Sequence, residues 1–144
     1  MTWLPAVIVV ALARRRLFSV TVEGASMEPA LRAGDRLLAR RAPAADLRPG
    51  QIVIIEKPVD PAAWHWPVSR PERLDDGHWM IKRVAAVPGD AVPPEIAAAA
   101  PHLASPVPPG AILVLGDNRA ASIDSRELGP VPADRVLGVA IRDQ

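Results

Sequence analysis

Proline is the residue that most constrains the fold of this chain, because 17 of its 144 residues are proline and they are spread from Pro5 to Pro132. Proline removes a backbone hydrogen-bond donor and breaks helix interiors. Long helices are therefore excluded for most of the chain, and an all-helical bundle is excluded altogether. The 49% of residues that are apolar must instead be packed mainly in short strands between turns.

Six short runs of β-branched or aliphatic residues, separated by Gly, Pro and Asp, predict the strands. They are residues 17–22, 35–41, 51–56, 79–87, 112–115 and 136–141. A short helical turn is expected over residues 97–100, after Pro93 and Pro94. Six such runs in a chain of this length predict one compact, mostly β domain.

The predicted organisation has an N-terminal anchor, residues 1–16, followed by the β domain, residues 17–144. Residues 1–13 are uncharged and apolar, and Arg14, Arg15 and Arg16 form a basic flank directly after them. Thirteen helical residues span about 20 Å, which is less than the roughly 30 Å of bilayer hydrocarbon. A membrane anchor or interfacial helix and a buried soluble helix are both open interpretations. The Pro-rich residues 57–78 predict an excursion from the domain.

Several classes of function are disfavoured by residues that the chain lacks. It has no cysteine, which excludes a thiol nucleophile and a cysteine-ligated metal. His65, His78 and His102 have no metal-ligand spacing, so we expect no metal and no cofactor. The net charge is +1 and most basic residues are scattered, so no nucleic acid partner is indicated.

Ser26 is the first residue of a different nucleophilic arrangement. It lies in a turn after an apolar strand, where Gly24 allows close backbone approach and Pro29 ends the strand. A serine in such a turn is most often only a turn residue. The catalytic interpretation therefore depends on a second group that could accept its proton.

Lys82 is the residue that can supply that group. Side chains alternate along a strand, so Lys82 shares a face with Met80 and Val84. Apolar surroundings lower the pKa of a lysine, and a neutral amine can deprotonate a serine hydroxyl. The alternative is an ordinary strand lysine whose amine reaches solvent.

A third polar segment, residues 114–130, follows a hydrophobic strand. Asp124 and Arg126 can pair with each other or with Arg83, and Ser122 can give the lysine amine a hydroxyl partner. The alternative interpretation of this segment is a solvated loop.

Together these segments resemble the bacterial type I signal peptidases, which are membrane-bound serine proteases with a Ser/Lys dyad. The matching segments are GASMxPxL from Gly24 with Gly34-Asp35, GQIV from Gly50, IKRVxxxPGD from Ile81, and LGDNR from Leu115 through Ser122, Asp124, Ser125-Arg126 and Gly129-Pro130-Val131. Each segment is weak alone, whereas four in order are specific. The resemblance implies a mostly β fold with the active site near the membrane surface, and cleavage after a small-x-small sequence, typically Ala-x-Ala.

The resemblance also implies roles for individual residues. Ser26 matches the nucleophile and Lys82 the general base. Ser122 matches the serine that orients the lysine amine, and Asp124 and Arg126 match a supporting ion pair.

Four further residues complete the expected site. Arg83 follows the base, as in the family. The backbone N–H of Ser26 is expected in the oxyanion hole, and Gly24 stands where some family members add a hydroxyl. Met27 and Met80 are expected to contact the substrate.

The expected partners are the signal or leader peptide of an exported protein and membrane lipid. The resemblance implies a single-pass protein of the cell membrane with its catalytic domain on the extracytoplasmic face. Arg14 to Arg16 conflict with that orientation, because basic residues usually flank the cytoplasmic side. An omitted upstream segment would explain the conflict, and a small maturation protease dedicated to one exported protein is an alternative function.

Two further alternatives belong to other classes of protein. A self-cleaving regulator of the SOS-repressor kind also pairs serine with lysine, but no helix-turn-helix stretch precedes Ser26 here. A non-enzymatic module would bind a partner through the Pro-rich residues 58–71, which contain no regular Pro-x-x-Pro repeat.

Overall fold

The computed structural model of the chain describes residues 17–58 and 79–141. Over these residues the strands are β1 (Leu17–Thr21), β2 (Arg36–Arg40), β3 (Ile52–Glu56), β4 (Trp79–Ala86), β5 (Ala111–Leu115), β6 (Val131–Pro132) and β7 (Val136–Ala140). Two short α-helices, α1 (Pro94–Ala99) and α2 (Ser125–Leu128), accompany them. The prediction of a mostly β fold is confirmed.

The predicted anchor, residues 1–16, lies outside the described residues, as does the excursion from residue 59 to residue 78. Within residues 17–58 and 79–141, none of the helices has the length and apolar character needed to cross a membrane.

All six predicted runs form strands, and their ends agree with the predicted ends to within one residue. The predicted helical turn is also present, but α1 begins earlier, at Pro94. Proline is favoured in the first turn of a helix because the first backbone N–H groups have no intrahelical partner. The two-residue strand β6 was not predicted, since Pro132 interrupts an already short apolar run.

The strands form one sheet in the order β1-β2-β7-β3-β4-β5-β6, and every neighbouring pair is antiparallel. β3 lies near the middle and all five of its residues are buried, as its uninterrupted run Ile-Val-Ile-Ile suggests. In the register between β3 and β4, Val53 lies opposite Lys82. This order brings β4 beside β5, so Lys82 lies near the loop that leaves β5 at Gly116.

The apolar residues of the sheet divide into clusters according to the face on which they lie. One cluster contains Val20, Leu37, Ile54 and Ile81, and a second contains Val53, Val84, Val114 and Val139. The residues of β3 from Ile52 to Ile55, and those of β4 from Trp79 to Ile81, alternate between these two clusters, as the alternation of side chains along a strand requires. A third cluster packs Ile96 of α1 against Ala86, Leu113 and Leu115, so α1 is held against β4 and β5.

Candidate active site

The turn that carries Ser26 connects β1 to β2 and is attached to the loop after β5. The backbone N–H of Asn118 donates to the Ser26 carbonyl at 2.8 Å, and its side-chain amide donates to the Ala25 carbonyl at 3.1 Å. The side chain of Met27 is buried, and its sulfur accepts from the N–H of Asp117 at 3.5 Å. The position of Ser26 is therefore fixed by the loop after β5 as well as by its own turn.

A pocket of about 240 Å³ opens beside Ser26. Four predicted site residues lie in its wall: Gly24, Ser26, Met27 and Met80. The rest of the wall is formed by Val22, Glu23, Lys57, Trp79 and Ile81. Gly24 has a φ of +71°, which side chains rarely adopt, so this position favours glycine over a hydroxyl-bearing residue.

Lys82 is buried on β4, with only 4% of its surface exposed. Met80 and Val84, on the same face, belong to or pack against one apolar cluster, as predicted. This burial lowers the pKa of Lys82 below its ordinary value of 10.5, although the negative charge of Asp124 opposes the shift. The interpretation of Lys82 as a strand lysine whose amine reaches solvent is wrong.

Ser122 connects the amine of Lys82 to Asp124. Lys82 Nζ donates to Ser122 Oγ at 3.0 Å, and Ser122 Oγ donates to Asp124 Oδ2 at 2.8 Å. A hydroxyl has one hydrogen, and here that hydrogen is directed to Asp124. Ser122 can therefore only accept from Lys82, and the lone pair of a neutral amine points away from Ser122.

Asp124 is fully buried and accepts from several groups at once. Arg126 Nε donates to Oδ1 at 2.9 Å and Nη2 to Oδ2 at 3.0 Å, while the N–H of Gly116 donates to Oδ2 at 2.9 Å. Burial raises the pKa of Asp124, but hydrogen bonds from Arg126, the Gly116 N–H and Ser122 outweigh it and keep the pKa below 3.8. The predicted pairing of Asp124 with Arg126 is confirmed.

Asp124 also begins α2, a role that the sequence analysis missed. Its Oδ1 accepts from the N–H of Arg126 at 3.1 Å, and Glu127 Oε2 accepts from the N–H of Asp124 at 3.0 Å. The two contacts form a capping box. An aspartate followed three residues later by a glutamate was the signal that could have identified it.

Arg83 lies on the opposite face of β4 from Lys82 and does not join the chain of contacts from Ser122 to Asp124. Its Nε and Nη2 donate to the two carboxylate oxygens of Asp117, each at 2.8 Å, and Nη1 donates to the Gly50 carbonyl at 2.8 Å. The hydrogen bond to Asp117 raises the pKa of Arg83. The alternative pairing of Arg83 with Asp124 is therefore wrong, and Asp117 is a site-bordering residue that the sequence analysis did not assign.

Gly116 allows Ser122 and Ser26 to approach the same point. A Cβ at residue 116 would overlap the Ser122 hydroxyl and lie 2.8 Å from the Ser26 carbonyl oxygen. Any side chain at this position would therefore displace Ser122 from Lys82 or move the Ser26 turn.

A family model described as signal peptidase, peptidase S26, matches residues 1–95 and 93–142 of the chain. This match defines the class as serine peptidase. The chain belongs to the signal peptidase family, peptidase S26, whose substrates are signal peptides. A search of curated proteins found no match.

Proposed function

We propose that this chain is a serine endopeptidase that cleaves signal or leader peptides of exported proteins, with Ser26 as nucleophile and Lys82 as general base. The observation that supports this most is the buried amine of Lys82, held at 3.0 Å from a serine that is itself held by Asp124. An amine in that setting is deprotonated more easily than one in water, because burial disfavours its charged form.

In the acylation step, the neutral amine of Lys82 takes the proton of Ser26 as its Oγ bonds to the scissile carbonyl carbon. The carbonyl π electrons move to oxygen and give a tetrahedral oxyanion. When the oxyanion collapses, the peptide C–N bond breaks and the Lys82 ammonium gives its proton to the leaving amine. Ser122 keeps the amine oriented throughout, because it accepts an N–H in both protonation states of Lys82.

In the deacylation step, Lys82 takes a proton from water while the water oxygen attacks the acyl-Ser26 ester. Collapse of the second tetrahedral intermediate breaks the ester bond, and the ammonium returns its proton to Ser26 Oγ. The base is thereby neutral again and the enzyme is restored.

The oxyanion in both steps is stabilised by the backbone N–H of Ser26, where one donor contributes about 3 to 4 kcal/mol. Gly24 carries no hydroxyl, so a second donor at this position would have to be a backbone group or a water molecule. This is a difference from those family members that carry a side-chain hydroxyl there.

The pocket beside Ser26 is the proposed binding site for substrate residues before the scissile bond. Met27 and Met80 contribute unbranched, adaptable apolar walls. Cleavage after a small-x-small sequence is proposed from the resemblance to the family and not from this wall.

We further propose that residues 1–16 attach the protein to the cell membrane, with the peptidase domain on the extracytoplasmic face. The uncharged, apolar composition of residues 1–13 supports attachment to lipid. Cell fractionation, with and without residues 1–16, tests this proposal: a truncated chain that stays with the membrane fraction would contradict it.

The experiment that tests the proposed function compares two peptides that differ only before the cleavage site. Purified protein is expected to cleave an Ala-x-Ala peptide after the second alanine, as located by mass spectrometry, and to leave a matching Leu-x-Leu peptide intact. Ser26→Ala provides the blank, and Ser19→Ala, at an exposed serine of β1, is the matched control. Cleavage by wild type that does not exceed the Ser26→Ala blank at pH 7 to 9 would refute the proposal.

Gly116→Ala is expected to lower kcat by about 100-fold, because a displacement of about 1 Å at a catalytic group has an effect of this size. The added methyl group would occupy the space of the Ser122 hydroxyl, which orients Lys82. Gly138→Ala is the matched control, since a Cβ there would meet the ring of Phe18 at 2.5 Å on another part of the sheet.

Both glycine variants are expected to lose stability, and only Gly116→Ala is expected to lose kcat per folded molecule. The folded fraction of each variant is measured by circular dichroism, and kcat is normalised to that fraction. Equal losses of kcat in the two variants would show that the effect of Gly116→Ala is general destabilisation.

A further inference from the structure

One guanidinium connects α1 to the loop after β5. Arg119 Nε and Nη2 donate to the two carboxylate oxygens of Glu95 at 2.7 and 2.9 Å. The remaining terminal nitrogen, Nη1, donates to the Gly116 carbonyl at 2.6 Å. Glu95 thereby fixes the direction in which Arg119 presents this third donor, because the guanidinium is planar and its donors have a rigid geometry.

The peptide groups on both sides of Gly116 are each held by a charged side chain. Its N–H donates to Asp124 Oδ2 at 2.9 Å, and its carbonyl accepts from Arg119. The backbone carbonyl of Arg119 in turn accepts from Arg126 Nη2 at 2.8 Å. Arg119 therefore contacts two of the residues that hold the buried carboxylate of Asp124 in place, Gly116 and Arg126.

We propose that Glu95 is a positioning residue, which acts through Arg119 on the Gly116 peptide and so on the Ser122 and Asp124 contacts that orient Lys82. The catalytic consequence of this inference rests on the proposed function. Glu95 lies on a fixed support, because its neighbour Ile96 is fully buried in the cluster between α1 and the sheet.

The contribution of the Glu95–Arg119 ion pair to the stability of the fold is expected to be small. The side chains of Arg119 and Glu95 are 43% and 45% exposed, and exposed ion pairs contribute little to the stability of a fold. What distinguishes this pair is its bidentate geometry together with the third bond to a backbone carbonyl of the site.

The first test is the kinetics of Glu95→Gln, which removes the charge and weakens the bidentate contact. We expect kcat to fall about 5-fold with KM nearly unchanged, since Glu95 lies outside the pocket wall. Asp46→Asn is the matched control, because Asp46 is an exposed acidic residue on a short 3-10 helix away from the site. A KM effect without a kcat effect, or equal effects in the two variants, would overturn the inference.

The pH profile of the same variant gives a readout that a purely structural contact would not change. The charged groups that act on the amine of Lys82 are Asp124, Arg126 and Glu127, and burial is the largest cause of its lowered pKa. Loosening Gly116 admits water and weakens that burial, so the acid limb of kcat is expected to move to higher pH. An acid limb identical to that of wild type would count against positioning.

A charge-reversed pair separates positioning from simple attachment of α1. Glu95→Arg combined with Arg119→Glu restores an ion pair, but a carboxylate at residue 119 has no hydrogen to donate to the Gly116 carbonyl. We expect thermal stability to stay close to that of wild type and kcat to stay low. Recovery of kcat in the double variant would show that attachment is sufficient and would overturn the inference.

Hydrogen exchange at the Gly116 amide, measured by NMR, tests the inference without any activity. We expect exchange to be about 5-fold faster in Glu95→Gln than in wild type and Asp46→Asn, because the amide's partner Asp124 is held less rigidly. If wild type cleaves no peptide, the proposed function fails and this result still decides whether Glu95 positions Gly116. Equal exchange in wild type and Glu95→Gln would overturn the inference.

Discussion

Lys82→Arg is expected to lower kcat for an Ala-x-Ala peptide by about 10²- to 10⁴-fold, the range that a general base contributes. Arginine is a long basic side chain like lysine, but its guanidinium stays protonated at any pH at which the protein is folded. It can therefore still donate to Ser122 and cannot accept the proton of Ser26. Substantial activity in Lys82→Arg would show that another group is the base.

Lys82→Met is the control for folding in this experiment. Methionine has a similar length and is compatible with the apolar neighbours Met80 and Val84. We expect this variant to be equally inactive and to have a Tm at or above that of wild type, as measured by differential scanning calorimetry. A Tm well below that of wild type would show that the amine stabilises the fold.

The sign of this stability effect follows from the lowered pKa of Lys82. Between its folded pKa and 10.5, the folded protein binds fewer protons at this site than the unfolded chain does. The free energy of unfolding therefore rises with pH across that window. Below the window, burial of the charged ammonium lowers it by the full amount. Activity has the same direction, since kcat should fall as pH decreases through the folded pKa and Lys82 becomes protonated.

Most of the sheet could be predicted from the sequence because its strands are short and are separated by Gly, Pro and Asp. The strand order could not, because β7 pairs with β2 and β3, which are far from it in the chain. The shift in register between Val84 and Ala86 had no sequence signal either, since it depends on how β4 pairs with β5. Local patterns thus predicted the elements, whereas long-range pairing decided how they are arranged.

The candidate site shows the same division between local and distant contacts. The pairing of Asp124 with Arg126 could be predicted because the two residues are only two positions apart in the sequence. The contact between Glu95 and Arg119 joins residues 24 positions apart in regions without periodic patterning, so nothing in the sequence connected them. The close approach of Ser26 to Gly116 likewise depends on a contact between residues far apart in the chain, for which the sequence has no local signal.

Asp124→Asn is expected to lower both the free energy of unfolding, by about 3 kcal/mol, and kcat, by about 10- to 100-fold. Removing the charge of one partner of a buried ion pair leaves the charge of the other unpaired, which has a cost of this size. The side chain of Arg126 is 19% exposed, so water compensates only part of that loss. An asparagine amide would also direct hydrogens toward Ser122 or Arg126, which both donate to Asp124.

The pH dependence of unfolding distinguishes this charge effect from a simple loss of packing. Because the pKa of Asp124 is lowered in the folded protein, its contribution is present above pH 3.8 and is lost as pH falls through the folded value. The difference in stability between wild type and Asp124→Asn, measured by urea unfolding, should therefore shrink toward low pH. Asp134→Asn, at a side chain that is 72% exposed, should stay close to wild type. We expect the Tm of Asp124→Asn to fall because this carboxylate holds both Ser122 and the first turn of α2. A lost kcat with an unchanged Tm would contradict this prediction and would mean that Asp124 acts on the chemistry alone.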